Sequence, residues 1–252
     1  MDLSEVTTNP NRHPWEMSRA EFVLKLLEDN IALNENSKLL DIGCGDLYFS
    51  LKARARNAIE IDAVDLAFDD DETRFKGIQK IKHLDTVMNK QYDIICAMDV
   101  LEHVDNDEAL LNRLIKMLKP DGILVITVPA FQFLYSYHDL RLKHLRRYHR
   151  GHLSYLIEDH SNISIVESFY FFHLLIYVRM AEKFIQFILN LNPKKNHSNA
   201  VNAWKHPEAH PLTRSLGTIL TTDAKICRML AKIGIRLPGL SLATVIRKKA
   251  ET

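Results

Sequence analysis

Apolar residues follow one another along the chain in two alternating patterns. Short, mostly apolar runs that are typical of strands cover residues 38–42, 58–66, 79–84, 92–98 and 123–128. Apolar residues at helical spacing predict helices over residues 18–28, from the loop after residue 42 to about residue 56, and over residues 106–118. Ser18 and Glu21 are expected to form a capping box at the start of the first helix. Strands that alternate with helices through short loops predict an α/β fold with a parallel, doubly wound sheet.

The pattern changes after Pro129. A basic, histidine-rich stretch covers residues 137–152, a short helix is expected to end near residue 159, and residues 163–171 have the pattern of a strand. Residues 172–237 are mostly helical in character, and residues 241–249 again have the pattern of a strand. We therefore divide the chain into an N-terminal helical cover (residues 1–36), a core domain (residues 37–171 and 238–252) and a helical insertion (residues 172–237).

Composition narrows the class of protein and its partners. The 252 residues are 46% hydrophobic and 26% charged, which suits a globular chain, and the net charge of +1 gives no overall attraction to nucleic acid or a membrane. The three cysteines are far apart, which favours buried thiols in a reducing, cytoplasmic setting over disulfides, and no metal is predicted. The N-terminal residues lack the apolar centre of a signal peptide. No uncharged apolar run is long enough to cross a membrane.

The stretch LLDIGCGDLYFS, residues 39–50, joins the first strand to a glycine-rich loop and a helix. Gly43 and Gly45 permit a tight turn and a close approach to a ligand, and the helix that follows offers free N–H groups. Asp41, at the strand end, suits a ligand that carries an ammonium group better than one that presents a pyrophosphate. Asp65, at the end of the second strand, is placed to accept both hydroxyls of a ribose. Together these features describe S-adenosylmethionine.

These residues, and above all YDIICAMDVLEHVDNDEALLNRLIKMLKPDGILVITVP at residues 92–129, resemble the class I S-adenosylmethionine-dependent methyltransferases over residues 37–129. The resemblance implies a Rossmann-like, doubly wound sheet of seven strands, mostly parallel with the last strand antiparallel. The helical insertion then forms a cap between the last two strands. The cofactor is expected to be S-adenosylmethionine, and its product S-adenosylhomocysteine. By position, the resemblance assigns the methionine end to Asp41, Gly43, Cys44 and Gly45, the ribose to Asp65 and Leu66, the adenine to Asp85 and Thr86, and the surroundings of the methyl group to Asp99 and Val100.

Leu47 departs from the family pattern, which commonly has glycine at this position. A leucine held at positive φ costs about 1 kcal/mol or somewhat more, whereas micromolar binding corresponds to about 8 kcal/mol. One strained residue therefore does not abolish binding, and a position inside the helix without strain is the alternative. A degenerate loop on a non-catalytic relative is the competing interpretation. The adjacent Asp46 is unexpected near a bound carboxylate.

The stretch YHDLRLKHLRRYHRG, residues 137–151, follows the fifth strand and is expected to open over the cofactor. Its H-D-x4-H-x-R-R-Y string resembles a subgroup of bacterial small-molecule methyltransferases. His138 or His144 is then a general base, with Asp139 as its orienting partner or as a further contact to the acceptor. Arg146 and Arg147 would form a fork for a carboxylate or phosphate.

The same interpretation places Tyr148 and His103 against the acceptor and Trp15 over the cofactor. The alternative is a solvated basic surface whose histidines only pack or cap helices. In that case His103 supports the loop that contains it, and Trp15 is a hydrophobic staple for the first helix.

The sequence favours a small-molecule acceptor methylated on oxygen, nitrogen or carbon, with a carboxylate, a phosphate or a lipid-like part among the alternatives. Asp99-Val100-Leu101 follows the fourth parallel strand where base methyltransferases of DNA have a different motif, so no nucleic-acid partner is expected and RNA is the lesser alternative. A regulatory or scaffold relative that binds the cofactor without turnover is the second function class.

An apolar stripe in the insertion leaves its partner open. It contains Phe184, Phe187, Ile188 and Leu191, with Lys183, Lys194 and Lys195 nearby. Such a stripe suits a core or homodimer face, or alternatively peripheral contact with the inner face of a membrane.

Overall fold

The computed structural model describes residues 11–69, 73–158, 162–188 and 204–250. Its strands are β1 (Lys38–Ile42), β2 (Glu60–Val64), β3 (Thr73–Phe75), β4 (Ile78–Ile81), β5 (Tyr92–Met98), β6 (Leu118–Pro129), β7 (Ile163–Phe171) and β8 (Ser241–Lys248). Its α-helices are α1 (Pro14–Asn30), α2 (Tyr48–Asn57), α3 (Asp107–Lys116), α4 (Tyr137–Arg141), α5 (Arg150–Glu158), α6 (His173–Ile188) and α7 (Pro211–Lys232). Short 3-10 helices lie at Leu84–Val87, Leu101–His103 and Gln132–Leu134.

All strands join one sheet in the order β3-β4-β2-β1-β5-β6-β8-β7. Strands β4, β2, β1, β5 and β6 are parallel, and β8 runs antiparallel to both β6 and β7. The doubly wound α/β fold with an antiparallel end is therefore confirmed. The expected seven strands become eight in the described part of the chain, because Thr73–Phe75 folds back on β4 as an antiparallel edge strand through a turn at Lys76 and Gly77, both at positive φ.

Apolar side chains cover the sheet on both faces. One layer consists of α1, α2 and α7, and the other consists of α3 and α5. Cys44, Cys96 and Cys227 are buried free thiols, as expected from their spacing. The strand order reverses between β1 and β5, and at such a point the loops after the two strands part and leave a crevice for a ligand.

Helix α1 begins one turn before the position that the sequence predicts. Pro14 occupies the first helical position, and the Nδ1 atom of His13 accepts a hydrogen bond from the Trp15 N–H, so His13 is the N-cap. The capping box at Ser18 is therefore wrong. The buried Ser18 hydroxyl instead donates to the carbonyls of Pro14 at 2.7 Å and Gly217 at 2.9 Å, which joins α1 to α7.

The N-terminal cover and the insertion both contribute to the main core. Phe22 of α1 packs edge-on against Phe169 and lies 5.4 Å from the ring of Phe171, both on β7. Helix α7, from the second half of the predicted helical insertion, packs against α1 and β7. Among the described residues, no helix combines the length and the apolar character that a membrane span requires.

Leu47 adopts the strained conformation that the sequence left open. It precedes α2 at φ 67°, in the left-handed region, and its side chain is fully buried in the layer formed by α1 and α2. The strain is therefore accompanied by a packing contribution that glycine could not make.

Replacing Leu47 with glycine is expected to destabilise the protein, although glycine is the relaxed residue at this φ. Glycine removes about 1–2 kcal/mol of strain, but losing a fully buried leucine side chain costs about 3–5 kcal/mol. The free energy of unfolding in urea should therefore fall by about 1–4 kcal/mol. Asp121→Gly is the matched control, because Asp121 has φ 62° but an exposed side chain, and it should be no less stable than the parent. A Leu47→Gly variant as stable as the parent would contradict the packing argument.

Candidate functional site

The carboxyl ends of β1, β2 and β5 bring Asp41, Asp65 and Asp99 to one edge of the sheet. Gly43 at φ 65° lies so close to the loop after β5 that a Cβ atom would stand 2.7 Å from Cγ2 of Val100. The Gly45 N–H donates to Oδ2 of Asp65 at 2.8 Å. The glycine loop is thus fixed against both neighbouring strand ends, as a cofactor cradle requires.

Asp41 is fully buried and only half satisfied. Its Oδ2 atom accepts a hydrogen bond of 2.5 Å from the Ser50 hydroxyl. Its Oδ1 atom has no hydrogen-bond partner in the described part of the chain. Burial raises the pKa of Asp41 to about 7, against the opposing hydrogen bond from Ser50. A buried carboxylate oxygen without a donor fits a ligand that brings an ammonium group, which is the end of S-adenosylmethionine assigned to this position.

A basic residue that the sequence reasoning missed faces the same hollow. The Arg19 guanidinium of α1 pairs with Asp99 and lies 4.7 Å from the ring centre of Trp15. Burial lowers the pKa of Arg19, and the charges of Glu16, Glu102 and Asp41 partly offset that effect. Arg19 follows Trp15 by one helical turn, so extending α1 to its true start would have placed both residues on one face.

The start of α1 is also tied to the glycine loop. Arg12 pairs with Asp46, bonds Glu16 at 2.9 Å, and lies 4.0 Å above the ring of Tyr48. The unexpected carboxylate of Asp46 is therefore neutralised by Arg12 rather than left facing a ligand.

The residues assigned to the nucleoside lie after β2 and β4. Asp65 accepts hydrogen bonds from the backbone N–H groups of Gly45 and Ala67 at 2.8 and 2.9 Å, so each of its oxygens keeps one lone pair for a ligand. Leu66 is 74% exposed, and the exposed Asp85 pairs with Arg113. Thr86 follows in the Leu84–Val87 helix. Their contacts with ribose and adenine remain predictions.

Asp139 organises the histidine-rich loop. It is fully buried and accepts two hydrogen bonds from Arg147, from Nε at 2.8 Å and from Nη2 at 3.1 Å. It also bonds Nδ1 of His144 at 3.0 Å and the Ser136 N–H at 2.8 Å. Burial alone would raise the pKa of Asp139, but the hydrogen bonds from His144 and Arg147 hold it well below its ordinary value.

In the structure, the two arginines of the expected acceptor fork pair with carboxylates of the protein itself. Arg147 is buried and also donates to the Ala130 carbonyl at 3.1 Å. The fully buried Tyr148 donates its hydroxyl hydrogen to Asp107 at 2.7 Å, and Arg146 pairs with the same carboxylate at 3.0 Å. As placed, these three side chains hold the loop to the sheet and to α3, and they do not present a guanidinium fork to an acceptor.

The two candidate bases differ in their surroundings. His138 is partly buried on α4, and burial, helped by the charge of Arg179, lowers its pKa to about 4. The hydrogen bonds described for Asp139 go to Ser136, His144 and Arg147. Asp139, the expected orienting partner of either histidine, therefore bonds His144. This bond engages Nδ1 of His144 and leaves Nε2 for other contacts.

Comparison with known proteins identifies the family of the chain. Residues 15–162 match the profile of a protein family described as a methyltransferase domain. The chain belongs to this methyltransferase family. It is 31% identical over 120 residues to the ubiquinone biosynthesis O-methyltransferase of Rickettsia canadensis, which covers 43% of this chain and 50% of that protein. The chain thus spans about half the length of the curated relatives it matches.

Solved structures share the fold over most of this methyltransferase. Phosphoethanolamine N-methyltransferase 2 of Haemonchus contortus, solved with S-adenosyl-L-methionine, has a TM-score of 0.55 at 14% identity, covering 98% of this chain and 55% of that one. The (4+2)-cyclase SpnF has a TM-score of 0.54 at 15% identity, covering 97% of this chain and 86% of that one. At these identities the similarity concerns the fold, which hosts more than one chemistry.

Glu102 is the second buried carboxylate of the methyltransferase site, and the sequence reasoning passed over it. Its side chain is fully buried, and neither of its oxygens has a hydrogen-bond partner among the described residues. Burial raises its pKa to about 8. Nε2 of His144 lies 3.9 Å from Oε1 of Glu102, and the exposed His103 ring meets the His144 ring edge-on at 4.8 Å. The LEHV string contains Glu102 directly before His103, but only the histidine was predicted to be a site residue.

Neutralising Asp41 should stabilise the cofactor-free protein. Its folded-state pKa of about 7 exceeds the ordinary 3.8, so the folded protein holds an extra proton in this window and its stability falls as the pH rises through it. Asp41→Asn should therefore exceed the parent in free energy of unfolding by about 1–3 kcal/mol near pH 8 and by little near pH 4.

Urea denaturation across this pH range measures the effect, with the exposed Asp105→Asn as control. Parent and Asp41→Asn curves with the same pH dependence would contradict the assignment of an unsatisfied buried charge to Asp41.

Proposed function

We propose that the protein transfers the methyl group of S-adenosylmethionine to a hydroxyl group of a small molecule. The observation that carries the proposal is that two unsatisfied buried carboxylates lie at or after the ends of neighbouring strands. Asp41 is at the glycine loop, and Glu102 is beside His144. Arg19 lies close enough to both for their charges to act on its pKa. A site for a cationic cofactor and a site that accepts a proton are thereby adjacent. Oxygen is favoured over nitrogen or carbon because the similar proteins from Rickettsia are O-methyltransferases.

The chain's own residues divide the work between binding and proton removal. In the proposal, Asp41 and the N–H groups of the glycine loop hold the methionine end, and Asp65 holds the ribose. Bound S-adenosylmethionine supplies a methyl group on a sulfonium centre. Glu102 and His144, oriented by Asp139, form the proton-accepting pair that faces the acceptor hydroxyl. Positioning the acceptor is the larger contribution to rate, because the displacement requires an aligned approach.

The insertion is proposed to limit the acceptor side of the site. The Lys183 ammonium of α6 donates to the carbonyls of Phe133 at 2.5 Å and Tyr135 at 3.0 Å, so α6 is fastened to the loop that precedes α4. Arg179 of α6 acts on the pKa of His138. These contacts support the predicted cap, with a small and partly apolar acceptor beneath it.

The partner of the outer α6 surface stays a prediction. Its exposed side chains include Tyr177, Val178, Phe184, Ile185 and Ile188. Peripheral membrane contact and a homodimer are both compatible with such a surface. The side chain of Phe187 and residues Leu191, Lys194 and Lys195, which belong to the same predicted stripe, lie outside the described residues.

Cofactor binding is tested by calorimetry with S-adenosylmethionine and S-adenosylhomocysteine. The parent protein should bind both, and Asp65→Asn should weaken binding about tenfold or more, because a charge-assisted hydrogen bond contributes about 1.5–3 kcal/mol. Asp105→Asn, which neutralises an exposed carboxylate outside the glycine loop, should bind as the parent does. Absence of measurable affinity in the folded parent would overturn the proposed function.

Turnover separates an enzyme from a relative that only binds the cofactor. With a metabolite extract and isotopically labelled methyl donor, the parent should form S-adenosylhomocysteine and a labelled product whose mass spectrum shows methylated oxygen. His144→Ala should lower the rate by about 10²–10⁴-fold while cofactor affinity is kept, because it removes proton transfer and not binding. His149→Ala, an exposed histidine of the same loop, is the control. Binding without any product under these conditions would favour the regulatory class.

A further inference from the structure

Three side chains around the proton-accepting pair have the composition of a metal site. Glu102, His103 and His144 each offer one ligand atom, and these atoms lie within 4.8 Å of one another. Glu102 and His103 are neighbours in the Leu101–His103 helix. His144 arrives from the loop after α4, and that loop is fixed nearby by a hydrogen bond of 2.7 Å from the Leu145 N–H to the Glu102 carbonyl.

The burial of Glu102 is the independent observation that points to a ligand. A fully buried carboxylate with two oxygens that find no partner among the described residues is costly, and proteins satisfy such groups with a donor, a bound ion or water. The two buried guanidinium groups whose charges act on Glu102, those of Arg19 and Arg147, are already paired with Asp99 and Asp139. Glu102 therefore has its acceptor capacity free at the point where two imidazoles converge.

His144 is oriented as a metal-ligating histidine usually is. Nδ1 of His144 bonds Asp139 at 3.0 Å, which leaves Nε2 as a lone-pair donor 3.9 Å from Glu102. A carboxylate behind a ligating histidine fixes the tautomer and the ring direction. The exposed His103 ring meets the His144 ring edge-on at 4.8 Å, which brings a second imidazole to the same point.

The charges around the cluster favour a cation. Asp139 is paired with Arg147, and Asp99 is paired with Arg19, so each of these carboxylates is neutralised by its own partner. Glu102 would contribute the remaining negative charge once a bound ion displaces its proton, next to neutral imidazoles. A divalent ion would leave one positive charge, which suits an acceptor oxygen that ionises during the reaction.

We propose that Glu102, His103 and His144 bind one divalent transition-metal ion, of which Zn²⁺ is the reference, with a coordination position left open. Two imidazoles and one carboxylate favour such ions over Ca²⁺ or Mg²⁺, and three protein ligands with an open position are the pattern of catalytic zinc sites. Bond lengths of about 2.0–2.2 Å bring ligand atoms to roughly 3–3.5 Å from one another. The present spacings reach this range by rotation of side chains, because His103 is exposed and free of core packing.

The consequence for chemistry rests on the proposed function. A hydroxyl of the acceptor that occupies the open position loses its proton more readily, because the cation stabilises the oxyanion. In the metal-bound form Glu102 and His144 would hold the ion instead of accepting the proton, so the proton would pass to solvent. The oxygen would form a bond to the methyl carbon, and the carbon–sulfur bond would break with its electron pair moving to sulfur. No oxidant or reductant is required.

The test uses the full-length protein without a histidine tag, stripped with a chelator and then titrated with ZnCl₂ or CoCl₂. Calorimetry and elemental analysis after desalting should give one ion per chain, and Co²⁺ should give visible absorption bands typical of nitrogen and oxygen ligands. His103→Ala should weaken binding at least tenfold, and this exposed position is not expected to disturb folding. Glu102→Gln, which keeps the shape of the side chain, should do the same. His149→Ala is the matched control and should retain parent affinity.

Absence of stoichiometric binding in the parent, or affinities that are unchanged in His103→Ala and Glu102→Gln, would overturn the metal site. Failure of the metal site is distinguishable from failure of the proposed function. Methyl transfer that proceeds equally in chelator-treated and reconstituted protein would leave the methyltransferase proposal intact and would refute a metal role. Stoichiometric binding of Zn²⁺ in a protein without affinity for S-adenosylmethionine would establish the site and refute the proposed function.

Discussion

The cost of burying carboxylates without sufficient donors is the constraint on which the site depends. Asp41 and Glu102 are both fully buried, and three of their four oxygens have no hydrogen-bond partner among the described residues. At the protein surface, hydration would remove this cost. The fold nevertheless buries both carboxylates. A cationic ligand at each position would turn this cost into a gain in binding free energy. The low dielectric that makes an unpaired buried charge costly also strengthens its attraction to an opposite charge. Stability of the ligand-free protein and affinity for ligands are therefore opposed at these two residues.

A second, fully satisfied carboxylate gives the site its rigidity. Asp139 has both oxygens bonded to Arg147 and also fixes Ser136 and His144. Because Arg147 is anchored on the Ala130 carbonyl, the loop after β6 is connected to the sheet through buried ion pairs rather than through apolar packing. The direction of the His144 ring follows from that connection. In the proposed function, Asp139 is the residue that positions the reactive groups, and Glu102 is one of those groups.

The sequence was sufficient for the parts of the fold that depend on local patterns. Apolar runs located β1, β5, β7 and β8, and the residues that end parallel strands met at one edge because topology brings them there. The same patterns could not locate β3, whose three residues pair only after the chain turns back at Gly77. They misplaced the start of α1, because His13 is not a usual capping residue and Pro14 gives the first turn its φ. The backbone conformation of Leu47 was equally undecidable, since burial outweighed strain.

Side-chain roles in the loop after β6 were beyond the reach of spacing. Arg146, Arg147 and Tyr148 have the chemistry of an acceptor fork, and only tertiary contacts show that Asp107 and Asp139 engage them. The same limitation hid Arg19, which lies about 80 residues from Asp99 in sequence and pairs with it only when α1 packs over the strand ends. The role of a buried polar group depends on the partner that it has or lacks in the folded structure. A pattern in the sequence does not identify that partner.

The start of α1 is attached to the loops after β1 and β5. Arg12 on Asp46 and Arg19 on Asp99 attach the first two turns to both sides of the hollow, and Trp15 lies between them against Arg19. A cofactor that brings its own ammonium to Asp41 adds positive charge next to Arg19, so the Arg19 guanidinium gains from turning toward the cofactor's carboxylate. The pair with Asp99 would then be exchanged for one of similar strength, and Asp99 would be released to face the reacting groups. In the proposed function, binding and activation would then be joined in one exchange of ion pairs.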